Sequence, residues 1–439
     1  MKIKPIAKIN KIIKVPPDKS ISHRAVIISS LARGKTLIKP FLRSDDTRAT
    51  IDCLKKLGVG VKFLGKISVL IRGTGLYFPK KKKVTLNAGE SGTTMRILTG
   101  ILCAQKFAVD FKAAAALNKR PMGRVVWPLT KMNANFMNRS QRAKDIYPPL
   151  LIRPSKRIKA GKFKLKIASA QVKSALIFAS LYADKITTIK EPYRSRDHTE
   201  RMLKLFKAPI AIKKGVIHSK SAANLKSPRK IFIPSDFSSA AFFIVLGLIL
   251  KNSKLTIKDV NINPSRAGLL RVLKRMGAKI KIINKKNNYE PYADIEVKSS
   301  KLKAVEVKPS EIPAMIDEIP ILCVAACFAK GKTTVWGVKE LKVKETDRIK
   351  AIKTNLKAAG GKVSAGTCGG RTSSSRDWFI SVRGPAKFKS AKFLSFSDHR
   401  TAMSAIILGV ASGKSSIIDD TTCINKSFPE FKSLLKSLY

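Results

Sequence analysis

Asp18-Lys19-Ser20-Ile21-Ser22-His23-Arg24, continuing through an apolar stretch to Leu31 and then into Thr36-Leu37-Ile38, is the stretch on which the fold turns. A polar start before an apolar helical run reads as a capped helix, and the β-rich residues after it read as a strand. The same order returns at Glu90-Ser91-Gly92-Thr93-Thr94 into Cys103, at Ser169-Ala170-Gln171 into Tyr182, and at Ser235-Asp236-Phe237-Ser238-Ser239 into Leu250. It returns again at Asp317-Glu318 into Phe328 and at Ser397-Asp398-His399-Arg400 into Val410. A second helix-like segment follows each, at 45–57, 121–132, 196–206, 265–276, 345–358 and 429–438. Several end in Gly-Val or Gly-Ala, a helix stop running into a strand, as at Gly58-Val59 and Gly277-Ala278.

The repeating unit therefore reads βαβαββ, and its spacing of roughly 65 to 80 residues is too long for an ordinary solenoid. Six such units imply an α/β protein of two similar domains, three units each, related by duplication. The polar stretch before Ile231-Phe232-Ile233-Pro234 and the Val15-Pro16-Pro17 turn mark two crossings between them. The expected domains are 16–233, and 1–15 together with 234–439. Residues 364–376, rich in Ser and Gly, read as a hairpin loop.

Composition narrows the function. Hydrophobic residues make up 44% of the 439 and mean hydropathy is −0.05, the balance of a globular chain with ample core. The longest apolar run, 240–250, falls short of the roughly 20 residues that cross a bilayer. Residues 1–14 alternate Lys with Ile and have no apolar signal core, so membrane and secreted readings fail and the cytoplasm is expected. Six Cys without a CxxC spacing suit neither a disulfide framework nor a zinc site, and Cys323 and Cys327 read as helical core.

Charge is the outlier: 88 Lys and Arg against 28 acids, a formal +60. Such a balance raises nucleic-acid binding. The lysines are spread along the whole chain, however, with one block at 80–83 and no recognised nucleic-acid motif, so only non-specific binding is expected. Cations also gather at the junctions between units, at Lys19, Arg24, Arg120, Arg194, Arg196, Lys344, Arg348, Arg400 and Lys426. Helix N-termini and cations at repeated positions suit phosphates and carboxylates. Asp317 and Glu345 sit among them, either as helix-start acids or as the carboxylates that a proton transfer between anionic reactants needs. His23, His198 and His399 lie in the same motifs without a nucleophile at triad spacing, and no P-loop or GxGxxG opens a helix.

From Pro16 to Phe431 the chain resembles the enolpyruvyltransferases that act on shikimate 3-phosphate, the EPSP synthase family. The motifs that carry the likeness are Pro17-Asp18-Lys19-Ser20-Ile21-Ser22-His23-Arg24, Gly92-Thr93-Thr94-Met95-Arg96, Lys119-Arg120-Pro121-Met122-Gly123-Arg124 and Ser169-Ala170-Gln171-Val172-Lys173-Ser174-Ala175. Further along they are Ser195-Arg196-Asp197-His198-Thr199-Glu200, Ile316-Asp317-Glu318-Ile319-Pro320, Val343-Lys344-Glu345-Thr346-Asp347-Arg348, Asp398-His399-Arg400-Thr401-Ala402-Met403 and Lys426-Ser427-Phe428-Pro429.

The resemblance implies two domains built as inside-out α/β barrels, an active site in the cleft between them, and no metal or organic cofactor. It implies shikimate 3-phosphate and phosphoenolpyruvate as small-molecule substrates and a monomer as the working state. By the same resemblance, Lys19, Ser20, Arg24, Ser169, Ala170, Gln171, Ser195, Arg196, Asp317 and Lys344 would hold shikimate 3-phosphate. Lys19, Gly92, Arg120, Gln171, Arg348, Arg400 and Lys426 would hold phosphoenolpyruvate. Asp317, Glu345 and Lys19 would be catalytic, Asp317 on the attacking hydroxyl and Glu345 at the methylene carbon. Three positions depart from the pattern: Glu90 where many relatives carry Asn, Ala170 where a second Ser is common, and Glu340 near a position often held by Asn. Two rivals remain in view, the related enolpyruvyltransferase acting on UDP-N-acetylglucosamine and a basic nucleic-acid-binding protein on the same fold.

Overall fold

A computed structural model of the chain describes residues 1–80, 82–138, 141–142, 145–368 and 377–439. One lysine of the 80–83 block and residues 369–376 of the expected hairpin loop lie outside the described residues. The chain divides into two compact units, Pro17–Ile233, and Met1–Pro16 with Pro234–Tyr439. Pro16 falls with the second of these because its carbonyl accepts the Asp236 N–H at 2.8 Å.

Within Pro17–Ile233 the repeat is plain in the sheets. Strand Val84–Asn87, helix Gly92–Leu102, strand Val109–Lys112, helix Gly123–Lys131 and strands Asn135–Asn138 and Leu150–Arg153 form one βαβαββ copy. Its first two strands run parallel, as a crossover helix requires, and the last strand pairs antiparallel between the second and third. The next copy repeats that order with strands Lys162–Lys164, Thr187–Lys190, Ile210–Lys213 and Val216–Ser219 around helices Ala170–Ser180 and His198–Leu205. The copy that begins with helix Lys19–Leu31 takes its opening strand from far along the chain. Leu225–Lys226 and Lys230–Ile231 both pair in parallel with Ala32–Ile38. Val69–Thr74 then lies antiparallel between Ala32–Ile38 and Gly60–Phe63.

The other unit follows the same plan. Asn10–Ile13 supplies the opening strand beside Lys254–Asn261, and Lys279–Asn287 and Pro291–Lys298 complete that sheet. Glu306–Val307, Gly331–Trp336, Lys362–Cys368 and Asp377–Gly384 make the next. The last copy departs from the repeat, with three strands among the described residues rather than four. After Ser416–Ile418 the chain enters the 3-10 turn Thr422–Lys426 and helix Phe431–Lys436, and Lys2–Ile3 closes the sheet antiparallel to Ser416–Ile418.

The opening helices are apolar nearly all round, and this puts them at the centre of each unit. Phe237–Ile249 buries every residue from Phe237 to Leu248 and packs with Ile319–Phe328 and His399–Ala411, while Gly92–Leu102 packs on Ala170–Ser180. The second helices keep one polar face in water. Cys323 and Cys327 lie buried inside Ile319–Phe328, where burial pushes the Cys327 thiol up to about 12.

Five of the six opening helices are capped by the side chain the sequence pointed to. Asp18, Ser91, Ser169, Asp236 and Asp398 each accept a backbone N–H from the first turn, at 2.9, 3.2, 3.4, 2.7 and 2.8 Å. The fifth helix, Ile319–Phe328, has Glu318 at its start and makes no such bond.

Candidate active site

Each unit gathers its named residues where the opening helices begin. In Pro17–Ile233 the first turn of helix Lys19–Leu31 carries Lys19, whose Nζ lies 2.8 Å from Asp46 Oδ2. One turn on, buried Arg24 donates to the Ser20 carbonyl at 3.0 Å, to Thr199 Oγ1 at 2.7 Å and to Ser174 Oγ at 3.0 Å. Those bonds tie the first unit's helix to both helices of the third. His23, beside them, is fully buried on Thr50 Oγ1 at 2.7 Å; burial, then Lys19 and Arg24, hold its imidazole well below its ordinary value.

A second group forms around Gly92 and Gln171. Arg96 donates to Gln171 Oε1 at 2.7 Å, and Gln171 Nε2 donates to Thr93 Oγ1 at 3.0 Å. Arg120 packs so closely on Gly92 that a Cβ there would lie 3.1 Å from Nη1. Ser169 caps the helix whose first turn holds Ala170 and Gln171. Ser195 is buried and donates its hydroxyl to Glu191 in a short hydrogen bond, while its N–H reaches Glu191 Oε2 at 3.3 Å. Lys173, 1% exposed, bridges Glu191 at 2.8 Å and Glu200 at 2.9 Å, and these two carboxylates outweigh burial and raise its ammonium. Arg196 follows half-buried on the same loop.

In the other unit the centre is Arg348, 1% exposed, which donates from all three guanidinium nitrogens to carboxylates. Nη1 reaches Asp317 Oδ1 at 3.1 Å, Nη2 reaches Glu345 Oε2 at 2.7 Å, and Nε reaches Asp398 Oδ2 at 2.8 Å. Burial opposes that charge, but Asp398, Glu345 and Asp317 together raise it. Arg400 lies 3.5 Å from the other oxygen of Asp317 and 3.9 Å from Glu318. Behind them buried Arg266 donates to Glu318 at 2.8 Å and to Asp236 at 3.3 Å. Lys344 stands beside Glu345, and Lys426 ends the Thr422–Lys426 turn; both are half-buried.

This geometry removes the capping role for both acids. The helix after Asp317 starts from Glu318, and the helix after Glu345 starts at Arg348 with Asp347 as its cap, bonded to the Ile349 and Lys350 N–H groups at 3.0 and 3.1 Å. Asp317 and Glu345 are instead held on one guanidinium. The sequence reading missed Arg96 and Asp398 as partners, although both stand inside the quoted motifs. It had no signal for Asp46, Glu191 or Arg266, which lie outside the quoted motifs.

Known proteins match this chain along nearly its whole length. A sequence profile described as EPSP synthase (3-phosphoshikimate 1-carboxyvinyltransferase) matches residues 3–435. The 3-phosphoshikimate 1-carboxyvinyltransferase of Petrotoga mobilis is 45% identical over 440 residues, covering 100% of this chain and 99% of that one. The protein of that name from Thermoanaerobacter sp. is 43% identical over 421 residues, with 96% and 95% covered. A solved structure of EPSP synthase from Acinetobacter baumannii superposes with a TM-score of 0.85 at 34% identity, covering 100% of this chain and 97% of that one. The enolpyruvyl transferase NikO of Streptomyces tendae, 13% identical with a TM-score of 0.76, shares the fold. With the helix-start cations, the Arg348 carboxylate cluster and matches of this length, the chain belongs to the EPSP synthase family, the 3-phosphoshikimate 1-carboxyvinyltransferases.

Proposed function

We propose that the protein joins the enolpyruvyl group of phosphoenolpyruvate to the 5-hydroxyl of shikimate 3-phosphate, releasing phosphate, a step toward chorismate and the aromatic amino acids. The observation that carries this reading is the pair of carboxylates, Asp317 and Glu345, fixed on buried Arg348 with Arg400 beside them. Two multiply charged anions approach each other only where cations offset their charge, and the proton transfers need carboxylates placed among those cations.

In this proposal the shikimate phosphate and ring are held by Ser20, Arg24, Ser169, Ala170, Gln171, Ser195 and Arg196, with Lys344 beside the ring. Phosphoenolpyruvate is held by Gly92, Arg120, Arg348, Arg400 and Lys426, while Lys19 and Gln171 serve both substrates. Asp317 takes the proton of the 5-hydroxyl as its oxygen bonds to C2 of phosphoenolpyruvate, and Glu345 gives a proton to C3. The resulting tetrahedral adduct loses phosphate from C2, the phosphate leaving with the proton Asp317 took, and a proton from C3, which Glu345 takes back. Arg348 keeps Asp317 oriented throughout and Glu345 until phosphoenolpyruvate binds, when it exchanges the Glu345 oxygen for an oxygen of the substrate.

The test is to mix the protein with both substrates and follow phosphate release and product mass together. Phosphate without the enolpyruvyl ether, or an ether formed on UDP-N-acetylglucosamine instead, overturns the assignment. A cytoplasmic monomer is the accompanying proposal, read by cell fractionation and by sedimentation of the purified protein. Among the described residues no helix is long and apolar enough to cross a membrane.

A further inference from the structure

The outward face of one sheet, formed by strands Ala32–Ile38, Val69–Thr74, Gly60–Phe63 and Leu225–Lys226 with Lys230–Ile231, is rich in cations. Side chains alternate across a strand, so Arg33, Lys35 and Leu37 share the exposed face while Ala32, Thr36 and Ile38 point to the core. Pairing extends the row: Lys226 stands beside Arg33, Arg72 beside Lys35, Lys230 beside Leu37 and Lys62 beside Leu70. Six cations thus share one face around two half-buried leucines, with no acid among the paired positions. A cavity of about 660 Å³ opens on it, lined by Arg33, Lys35, Leu70, Lys226 and Arg229 with Asn224 and Ser227.

Like charges directly opposite each other in a sheet are destabilising. The corresponding sheet of the other unit also has such pairs, Lys254 and Lys279 each standing opposite Lys298, but it carries acids as well. There Glu296 and Asp294 stand among the lysines and pair with Lys254 at 3.1 Å and Lys258 at 2.5 Å. The face around Arg33 and Lys35 thus differs from its counterpart in having no acid at its paired positions. Neighbours on a strand are about 6.8 Å apart two residues on, and strands are about 4.8 Å apart. One phosphate cannot reach six cations spread over five strands, whereas a chain of phosphates can.

We propose that this sheet face binds the phosphate backbone of single-stranded nucleic acid, without base selectivity, at a place distinct from the residues assigned to the reaction. Phosphates neutralise the opposed cations and release condensed counterions, so affinity falls steeply as salt rises.

The experiment measures binding of a fluorescent dT20 oligonucleotide across a salt series. It compares the intact protein with Arg33→Gln/Lys35→Gln/Lys226→Gln and with the control Lys254→Gln/Lys279→Gln/Lys281→Gln, which removes equal charge from the acid-bearing sheet. With a slope of about 0.7 per phosphate contact on single strands, the first variant should lose about 2 from the slope of log affinity against log salt, and the control under 0.5. Equal losses in both variants would overturn the proposal, as would absence of binding by the intact protein at 50 mM salt or strong preference for one base sequence. Turnover with the two substrates is measured on every variant. It should be unchanged, which separates failure of this proposal from failure of the enzymatic one.

Discussion

Glu345 touches Arg348 through one carboxylate oxygen at 2.7 Å, and that contact survives a change to the amide. Glu345→Gln should therefore fold and bind shikimate 3-phosphate normally while turnover falls about 100-fold or more, the scale of a lost acid–base group. Calorimetric binding beside steady-state rates checks it, and near-normal turnover would take Glu345 out of the mechanism. His23 makes a separate prediction about pH. Its imidazole is held neutral in the folded protein by burial and by two neighbouring cations, whereas in the unfolded chain it takes a proton near pH 6.5. The unfolded state then binds more protons below that pH, so the stability His23 allows is present above about pH 6.5 and is lost as pH falls. Thermal melts from pH 7 to pH 5 should show a smaller loss for His23→Gln than for the unchanged protein.

At the scale of elements, close helix packing depends on a glycine. A Cβ at Gly100 would lie 2.1 Å from the Ala175 carbonyl oxygen, so helices Gly92–Leu102 and Ala170–Ser180 approach backbone to backbone there. Gly100→Ala should lower stability by at least about 1–3 kcal/mol, the range for overpacking, read as a drop in denaturation midpoint. Gly92→Ala is a milder change, because the atoms it meets at 3.1 and 3.5 Å are the far ends of Arg120 and Arg96. It should leave the melt intact and raise the KM for phosphoenolpyruvate. These elements also show where sequence reading succeeds. Capping residues before apolar runs located the opening helices, because a helix start is a local matter of side chain and backbone. Two of the second helices begin later than the pattern suggested, at Arg348 rather than 345 and at Phe431 rather than 429, since an acid or a proline just before a helix looks like its first turn. The make-up of the last sheet was illegible for a different reason: Lys2–Ile3 is one of its three strands, and no local signal announces a partner more than 400 residues away.

Across the whole molecule, a formal charge of +60 sets a self-repulsion that packing must overcome. Screening shortens its reach to about 10 Å at 0.1 M salt. The melting temperature should therefore rise between 20 and 300 mM sodium chloride, and calorimetry that finds it flat or falling would show the cations already offset locally. The sheets have a second consequence, which concerns the order in which the polypeptide leaves the ribosome. Every described strand of the Pro17–Ile233 unit pairs with another inside that stretch, so its sheets can close while the rest is still being translated. Asn10–Ile13 emerges earlier still but must wait for Lys254–Asn261, and Lys2–Ile3 must wait for Ser416–Ile418. In the nascent protein these two strands thus wait long for their partners, and the half that carries Asp317, Glu345 and Arg348 is finished only after Ser416–Ile418 has emerged.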